Sequence, residues 1–326
     1  MTDLLPTVAT PPGRILSAPE FQNLAEVPAE TQWFANIDNP QTRRAYQNDL
    51  AGFIRFAGIQ QATEFRQVTR SHVLAWRADL ERQSLSGSTI RRKLAALASL
   101  FEYLCNQNAV THNPAKGVKR PRVESQTGKT PALSNSQACR LLNAPPADTL
   151  KGKRDRAILS VLLHHGLRRE ELTRLKVKDF AQTDRDGPRM RVWGKGNKVR
   201  YLSVHPSTLE LVAVYLAAAG HQDKSCNWLF QSVSHHHASN PNGGLTPGAV
   251  YSEVVKRYMS PLGIKGDNLG PHSLRATAAT CALENQADIA KVQEWLGHAS
   301  INTTRVYDRR ETRAPDSPTF KVSYAA

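Results

Sequence analysis

The chain has 326 residues, and its 43 Lys and Arg outnumber its 28 Asp and Glu, which gives a formal net charge of +15. This length allows two domains with a sizeable core. The positive charge favours nucleic acid as a binding partner, although a basic protein without such a partner is the alternative. The sequence contains no run of about eighteen apolar residues, so no membrane span is predicted. Its N-terminus lacks the pattern of a secretory signal. We therefore expect a cytoplasmic, nucleoid-associated protein.

The four cysteines are scattered and form no CxxC pair, which predicts buried thiols in a reducing compartment. They are Cys105, Cys139, Cys226 and Cys281. The run His235–His237 suggests a metal site, but no cysteine or carboxylate lies close by in the sequence. A solvent-exposed loop is the favoured interpretation, and we expect neither a metal nor a cofactor.

Residues 1–28 are rich in Pro, Thr and Ala without periodicity and predict a flexible arm, whereas residues 29–117 predict a small helical domain. Helix starts are indicated at Asn39-Pro40, at Thr69 and at Ser86 or Ser88. Each start is followed by apolar residues at helical spacing. The predicted faces are Tyr46, Leu50, Phe53, Ile54 and Ala57, then Val73, Trp76 and Leu80, then Ile90, Leu94, Leu97, Phe101 and Leu104.

Two of these predicted helices carry basic clusters near their first turns, and helix N-termini with extra cations suit phosphate groups. The clusters are Arg43 with Arg44, and Arg91 and Arg92 with Lys93. A solvated helix surface is an equally good interpretation of any one of these residues. Residues 118–133 mix Lys, Arg, Pro and Ser without periodicity and predict an interdomain linker.

Residues 134–326 predict a second, mostly helical domain with a small antiparallel sheet, so the fold class is mainly α (α+β). Ser134 and Gln137 form a capping-box pattern, and a later helix is expected to end at Gly166. The stretches RMRVW and KVRYLSV predict a hairpin around GKGN. A helix over GAVYSEVVKRYM follows, and its cations Lys256 and Arg257 can contact a nucleic acid.

Near the C-terminus, apolar residues at spacings of three and four predict a helix that ends at Gly297, directly before His298. Ser300 can cap a second short helix, on which we expect Tyr307. Upstream, His272 and Arg275 lie three residues apart in PHSLRATAA. Arg168 lies in GLRREEL, and Lys195 lies in GKGNK. Taken singly, each of these residues is more often an ordinary core or surface residue.

Together the motifs GLRxxEL, GKGxK, HxLR and LGH, followed by a tyrosine, resemble the tyrosine site-specific recombinases, the family of lambda integrase, Cre and the Xer proteins. The resemblance covers roughly residues 30–310, and several motifs in one order are far more specific than one. It implies a helical core-binding domain of the SAM-like type, followed by a recombinase catalytic domain.

The resemblance implies DNA cleavage by Tyr307 through a 3′-phosphotyrosine intermediate and a Holliday junction. Arg168 and Arg275 would bind the phosphate oxygens, since guanidinium groups stay charged and can bind in a bidentate manner. Arg169 is the alternative to Arg168. His272 would transfer a proton, His298 would hydrogen-bond a phosphate oxygen, and Lys195 would be the general acid.

The family also implies a double-stranded DNA partner with an inverted-repeat core site, bound by a monomer or dimer before four protomers assemble on two duplexes. Two other classes remain open: a type IB-like topoisomerase and a catalytically idle DNA-binding regulator. In the C-terminal tail, residues 311–326, the stretch TFKVSY alternates like an edge strand. We expect it to pair with a sheet edge of its own or a neighbouring protomer.

Overall fold

The computed structural model describes residues 29–122, 130–184, 187–233, 243–266 and 269–308. The chain divides into two compact units, Met1–Glu124 and Ser125–Ala326. The predicted arm, the tail, the His235–His237 run and part of the linker lie outside the described residues, so the predicted domain limits stay predictions. In the described ranges no helix has the length and apolar character needed to cross a bilayer.

The first unit consists of helices in the described residues, as the spacing predicts. Its elements are α1 (Ala29–Ala35), α2 (Pro40–Ala57), a 3₁₀ turn (Ala62–Gln67), α3 (Arg70–Arg82) and α4 (Gly87–Asn106). Asn39 begins α2 by accepting hydrogen bonds from two backbone N–H groups of the first turn. Ser86, rather than Ser88, begins α4. Both side chains satisfy N–H groups that have no partner within the helix.

The predicted apolar faces of α2, α3 and α4 form the core of this unit. Phe53, Val73 and Leu97 are fully buried, and the rings of Phe53 and Trp76 meet edge to face at 5.1 Å between centroids. One carboxylate, Asp49, is also buried there, at 1% exposure. The apolar core accounts for the packing of the three helices, whereas the carboxylate needs partners.

The second unit is mainly helical with one sheet. Its helices are α5 (Asn135–Asn143), α6 (Leu150–His165), α7 (Arg169–Thr173), α8 (Pro206–Ala219), α10 (Pro271–Glu284), α11 (Ile289–Leu296) and α12 (Ile301–Arg305). Helix α9 joins Pro247–Ala249, a π-helical stretch Val250–Lys256 and Arg257–Met259. The predicted fold class is confirmed, as are the capping box at Ser134 and the helix ends at Gly166 and Gly297.

The sheet contains strands β1 (Gln182–Asp184), β2 (Gly187–Trp193) and β3 (Val199–Ser203), antiparallel and in that order. The predicted hairpin is β2–β3, with Met190 opposite Leu202 and Trp193 opposite Val199. Met190, Val192 and Leu202 face the core, whereas Val199 and Tyr201 are exposed. Strand β1 was not predicted, because three residues are too few to show an alternating pattern.

The prediction of buried cysteines is wrong. Cys139 and Cys226 are exposed, Cys105 and Cys281 are partly exposed, and all four are free thiols. On α5, Cys139 lies two residues from the buried Leu141, about 200° around the helix, so it faces the opposite side. Scattered cysteines without a pairing pattern do not reveal on which side of a helix they lie.

Candidate active site

Arg168 is positioned by the end of α6 and the start of α7. Gly166 ends α6 with a left-handed backbone (φ 58°), and Arg168 then occupies the extended position that begins α7. The backbone N–H of Arg168 donates to Glu171 Oε2 at 2.9 Å, and its Nη1 donates to Oε1 at 2.7 Å. Arg168 therefore lies at the start of a short helix that ends at Thr173.

Glu171 is a buried carboxylate that joins three arginines. Besides Arg168, it accepts from Arg200 Nη1 at 3.0 Å and Nη2 at 2.8 Å, and Arg275 Nη1 lies 4.0 Å from Oε2. Burial raises the pKa of Glu171, but the hydrogen bonds and charges of Arg200 and Arg168 outweigh it, so the net shift is downward. The carboxylate therefore stays ionised and fixes the guanidinium groups around it.

Arg275 on α10 is 1% exposed. Its Nη1 donates to Gly166 O at 2.5 Å, and its Nη2 bonds both Leu296 O at 2.6 Å and His298 Nε2 at 2.9 Å. Its Nε is buried without a hydrogen-bond partner in the described part of the chain. Burial, and then the charge of Arg168, lower the pKa of Arg275 to about 10. The guanidinium thus stays charged at neutral pH, and its Nε is the donor left without a partner among the described residues.

His272, at the first turn of α10, lines a cavity of about 420 Å³ together with Arg168, Arg169, Tyr251 and Arg275. His272 is exposed, unlike most of α10. Although much of its surface is accessible, the cavity walls partly desolvate its ring, and this desolvation, followed by the charges of Arg275 and Arg168, lowers the pKa of His272. A neutral imidazole, three arginines and a helix N-terminus therefore share one cavity with the Glu170 carboxylate, and the excess of positive charge suits an anion. The rival residue Arg169 also lines it, but pairs with the exposed Glu170.

His298 follows the left-handed Gly297, as predicted. Its Nδ1 is 2.9 Å from Thr304 Oγ1, and its Nε2 is 2.9 Å from Arg275 Nη2. Because a guanidinium only donates, Nε2 is the acceptor and the proton lies on Nδ1. Burial, and then the charges of Arg275 and Arg168, lower the pKa of His298 to about 4. Both ring nitrogens therefore have protein partners, and its predicted phosphate contact stays a prediction.

Tyr307 is 4% exposed, and its ring centroid is 6.0 Å from that of His298. The prediction that it lies on the helix capped by Ser300 is wrong, because α12 ends at Arg305. The chain then tightens, with the N–H groups of Tyr307 and Asp308 donating to the carbonyls of Thr304 and Arg305, three residues back. Tyr307 O also accepts from Thr280 Oγ1 at 3.2 Å, which fixes this turn against α10.

Lys195 lies in the turn of the β2–β3 hairpin, in a short 3₁₀ segment Lys195–Asn197. Its backbone is described, and its side chain is outside the described part of the structure. Gly194 N–H donates to Lys198 O at 2.7 Å, which closes the turn. The predicted position at a hairpin tip is therefore correct, and its role stays a prediction.

The predicted DNA-contacting residues of the first unit have protein partners in several cases. Arg43 donates to Ile37 O at 2.7 Å, and Arg91 donates to Pro121 O at 3.2 Å. Arg92 and Lys93 form ion pairs with Asp49. Arg44 is exposed. These contacts give Arg43 and the Arg92–Lys93 pair a structural role, and their contact with DNA stays a prediction.

On α9, Arg257 is exposed, and Lys256 Nζ lies 5.8 Å from the ring centroid of Tyr251. Val250, Val254 and Val255 are fully buried on the other side. The π-helical turn lets two consecutive valines face the core, and such turns are frequent at functional sites. Across the described residues, no group of three or more His, Cys, Asp or Glu side chains is arranged to bind a metal ion.

Sequence reasoning missed Arg200 and Thr304. Thr304 is fully buried and was not distinguishable from other threonines of its segment. For Arg200 a signal exists, since it lies on the same face of β3 as the buried Leu202. A charged residue at an inward position of an alternating strand needs a buried partner.

Residues 131–313 match the family model of the phage integrase family, and residues 38–108 match the phage integrase N-terminal SAM-like domain. The chain belongs to the phage integrase family. Its relatives include the tyrosine recombinase XerC of Pseudomonas syringae pv. syringae, which is 32% identical over 269 residues, covering 82% of this chain and 85% of the relative. The protein is therefore a tyrosine recombinase, an enzyme of site-specific DNA recombination, and the topoisomerase and regulator alternatives are not favoured.

Two solved structures share the fold. The XerH site-specific recombinase bound to difH substrate has a TM-score of 0.63 at 22% identity, covering 82% of this chain and 76% of that one. A lambda integrase dimer bound to a COC′ core site has a TM-score of 0.63 at 15% identity, covering 87% and 79%. At such identities the likeness supports the fold alone.

Proposed function

We propose that this recombinase cleaves DNA with Tyr307 as the nucleophile. The phenol oxygen forms a bond to phosphorus, the bond from phosphorus to the 5′-oxygen breaks, and a 3′-phosphotyrosine remains. The bond energy is retained, so rejoining needs no ATP or other cofactor. Exchange of strands then passes through a Holliday junction. The observation that carries this proposal is the cavity shared by Arg168, His272 and Arg275, with Arg275 bonded to His298 beside Tyr307.

The two arginines are proposed to bind the non-bridging oxygens, where negative charge grows as phosphorus becomes pentavalent. Arg168 is one-third exposed at its side chain and borders the cavity. Arg275 keeps an unpartnered Nε donor among the described residues. A buried donor without a partner costs about 1–3 kcal/mol, and a phosphate oxygen would remove that cost. The positive end of α10 adds to the attraction.

Proton transfers are assigned to His272 and Lys195. The lowered pKa of His272 leaves its imidazole neutral near pH 7, so it can accept the proton that the phenol loses. Lys195 is proposed to donate the proton that the leaving 5′-oxygen takes up. His298 is proposed to orient Arg275 in the resting state and to contact a phosphate oxygen once DNA binds.

We further propose that the substrate is double-stranded DNA with an inverted-repeat core site, and that four protomers assemble on two duplexes. The net charge of +15 and the cations Arg44, Arg91 and Arg257, exposed on the described surface, support DNA contact. The fold shared with recombinases solved on DNA core sites supports it as well. The reaction is proposed to take place in the cytoplasm, at nucleoid DNA, where such a substrate is found.

Covalent capture on a nicked duplex tests this proposal. The core site is first sought in DNA flanking the gene, as short inverted repeats around a spacer, and confirmed by capture with the wild-type protein. Tyr307→Phe removes one oxygen and is expected to abolish the covalent protein–DNA band while leaving noncovalent binding within about twofold. Tyr258→Phe, on α9, is the matched control and keeps the band. A covalent band that persists in Tyr307→Phe would exclude Tyr307 as the nucleophile.

A further inference from the structure

Arg200 uses all three nitrogens of its guanidinium to join three segments of the second unit, which is called the catalytic unit below. From β3, Nη1 and Nη2 donate to the two oxygens of Glu171 at the start of α7, and Nε donates to Trp295 O near the end of α11 at 3.1 Å. The side chain is 14% exposed. Bidentate arginine–carboxylate pairs fix geometry as well as distance.

The Arg200 guanidinium lies against two glycines, and each of them directly precedes a proposed catalytic residue. A Cβ added at Gly297, before His298, would lie 3.2 Å from Arg200 Nη1. A Cβ added at Gly194, before Lys195, would lie 3.5 Å from the same atom and 3.8 Å from Glu171 Oε1. The guanidinium therefore packs against the chain at both points.

Among the described side chains of the hairpin, Arg200 and the buried Val192, which lie opposite each other, are the inward-facing ones nearest to the turn. On β3, Val199 and Tyr201 are exposed, so Arg200 is the inward-facing residue of this strand nearest to the turn, and the next is Leu202. On β2, Trp193 is also exposed. Loops and turns move on the nanosecond to microsecond scale, and a contact such as that of Arg200 restricts this motion.

We propose that Arg200 is a positioning residue that holds the hairpin turn 194–198, and with it Lys195, in place relative to Arg168 and Arg275. This inference rests on the proposed function, in which Lys195 protonates the leaving oxygen. A lysine at position 200 would offer a single point charge in place of the planar pair of donors, and would leave one oxygen of Glu171 or the Trp295 carbonyl unpaired.

The test compares full-length variants on two nicked duplexes that carry the captured site, one with the normal phosphodiester and one with a 5′-bridging phosphorothiolate. A thiolate leaves without protonation, so this substrate does not need the general acid. Lys195→Ala is expected to slow cleavage of the normal duplex by about a hundredfold. Arg200→Met is expected to slow it by about 10–100-fold. On the phosphorothiolate both deficits are expected to shrink below about threefold, with unchanged DNA affinity.

Arg191→Met is the matched control, because Arg191 on β2 also donates to a buried carboxylate, Asp179, away from the cavity. It is expected to cleave both duplexes at the wild-type rate. If Arg200→Met does not fold, Arg200→Lys replaces it in the test. That variant is expected to show an intermediate loss of cleavage rate on the normal duplex and the same rescue on the phosphorothiolate.

The possible outcomes separate this inference from the proposed function. If Lys195→Ala is rescued but the Arg200 variants are equally slow on both duplexes, Arg200 acts on the arginines or the fold, and the positioning role is wrong. Wild-type rates in both Arg200 variants would also overturn it. If Lys195→Ala itself is not rescued, Lys195 is not the acid, and the proposed function is revised together with this inference.

Discussion

In the first unit, the buried carboxylate Asp49 pairs with Arg92 and Lys93, and in the second unit Glu171 pairs with Arg168 and Arg200 and approaches Arg275. The carboxylates are equally buried, at 1% and 3% exposure. Their partners differ, because the Arg92 side chain is 45% exposed whereas those of Arg200 and Arg275 are 14% and 1% exposed. Arg92 can therefore turn to water, whereas Arg200 and Arg275 cannot, and the side chains of Lys93 and Arg168 lie between these limits at 17% and 34% exposure.

The same contrast holds for the interiors. Among the described residues of the first unit, Asp49 alone is a buried charged or polar residue, whereas the second unit also buries Arg154, Asp155, His165 and Thr304. The apolar faces of its helices are enough to form the core of the first unit. The catalytic unit places polar groups where each needs a partner, so losing one partner leaves another group unpaired. We therefore expect substitutions at buried polar positions to affect the second unit more strongly.

The largest effect is expected from Glu171→Gln. The amide keeps the shape but removes the charge that offsets three arginines, so the free energy of unfolding is expected to fall by about 3–5 kcal/mol. Because Arg168 and Arg275 lose their common anchor, cleavage of the bound site is expected to slow by about a hundredfold. Urea unfolding and covalent-capture kinetics measure the two effects.

Glu170→Gln is the neighbouring control, since Glu170 pairs with Arg169 at the surface, where both side chains are 45% exposed. Its effect on stability is expected to stay within about 0.5 kcal/mol. Equal stability losses at positions 170 and 171 would contradict a special role for the buried carboxylate.

A smaller effect is expected on lowering the pH. His165 is 1% exposed, its Nε2 accepts from the backbone N–H of His205 at 3.1 Å, and burial followed by the charge of His164 lowers its pKa from 6.5 to about 4. The unfolded chain therefore binds a proton that the folded chain excludes. Stability is expected to fall as the pH drops from about 6.5 to about 4, by about 3 kcal/mol from this residue.

His165→Gln keeps an acceptor but cannot titrate, so it is expected to remove that part of the pH dependence. Thermal unfolding of the catalytic unit at pH 7.5 and pH 4.5 measures it. His112→Gln, at an exposed position of the first unit, is the control and is expected to retain the wild-type dependence. An unchanged pH dependence in His165→Gln would show that other groups cause the acid sensitivity.

The sequence predicted those features of the fold that depend on interactions between residues close together in the chain. Spacing and caps located α2, α3, α4 and the turns at Gly166 and Gly297, because apolar periodicity and left-handed glycines act within a few residues. Motifs in one order led to Arg168, Arg275 and His298, which the fold brings together. The pairs of Arg200 with Glu171 and of Arg92 with Asp49 span 29 and 43 residues, and no local pattern encodes them. Tyr307 was misplaced because a turn with bonds three residues back continues the helical spacing over a few residues.

The smallest effect is expected from Asp49→Asn. The Arg92 side chain is 45% exposed and that of Lys93 is 17% exposed, and both are long enough to extend towards solvent once the carboxylate charge is lost. The free energy of unfolding is expected to fall by only about 1–2 kcal/mol, less than at Glu171. Cleavage of bound DNA is expected to keep the wild-type rate.

The same substitution tests whether Arg92 and Lys93 contact DNA. Freed from Asp49, they can displace more counterions from phosphates, so the slope of log affinity against log salt is expected to become steeper by about one to two units. Asp38→Asn removes an exposed acid of the same unit, and its slope is expected to change by less than about half a unit. A slope in Asp49→Asn equal to that of Asp38→Asn would show that Arg92 and Lys93 do not face the phosphates. A shallower slope would show instead that Asp49 orients them towards DNA.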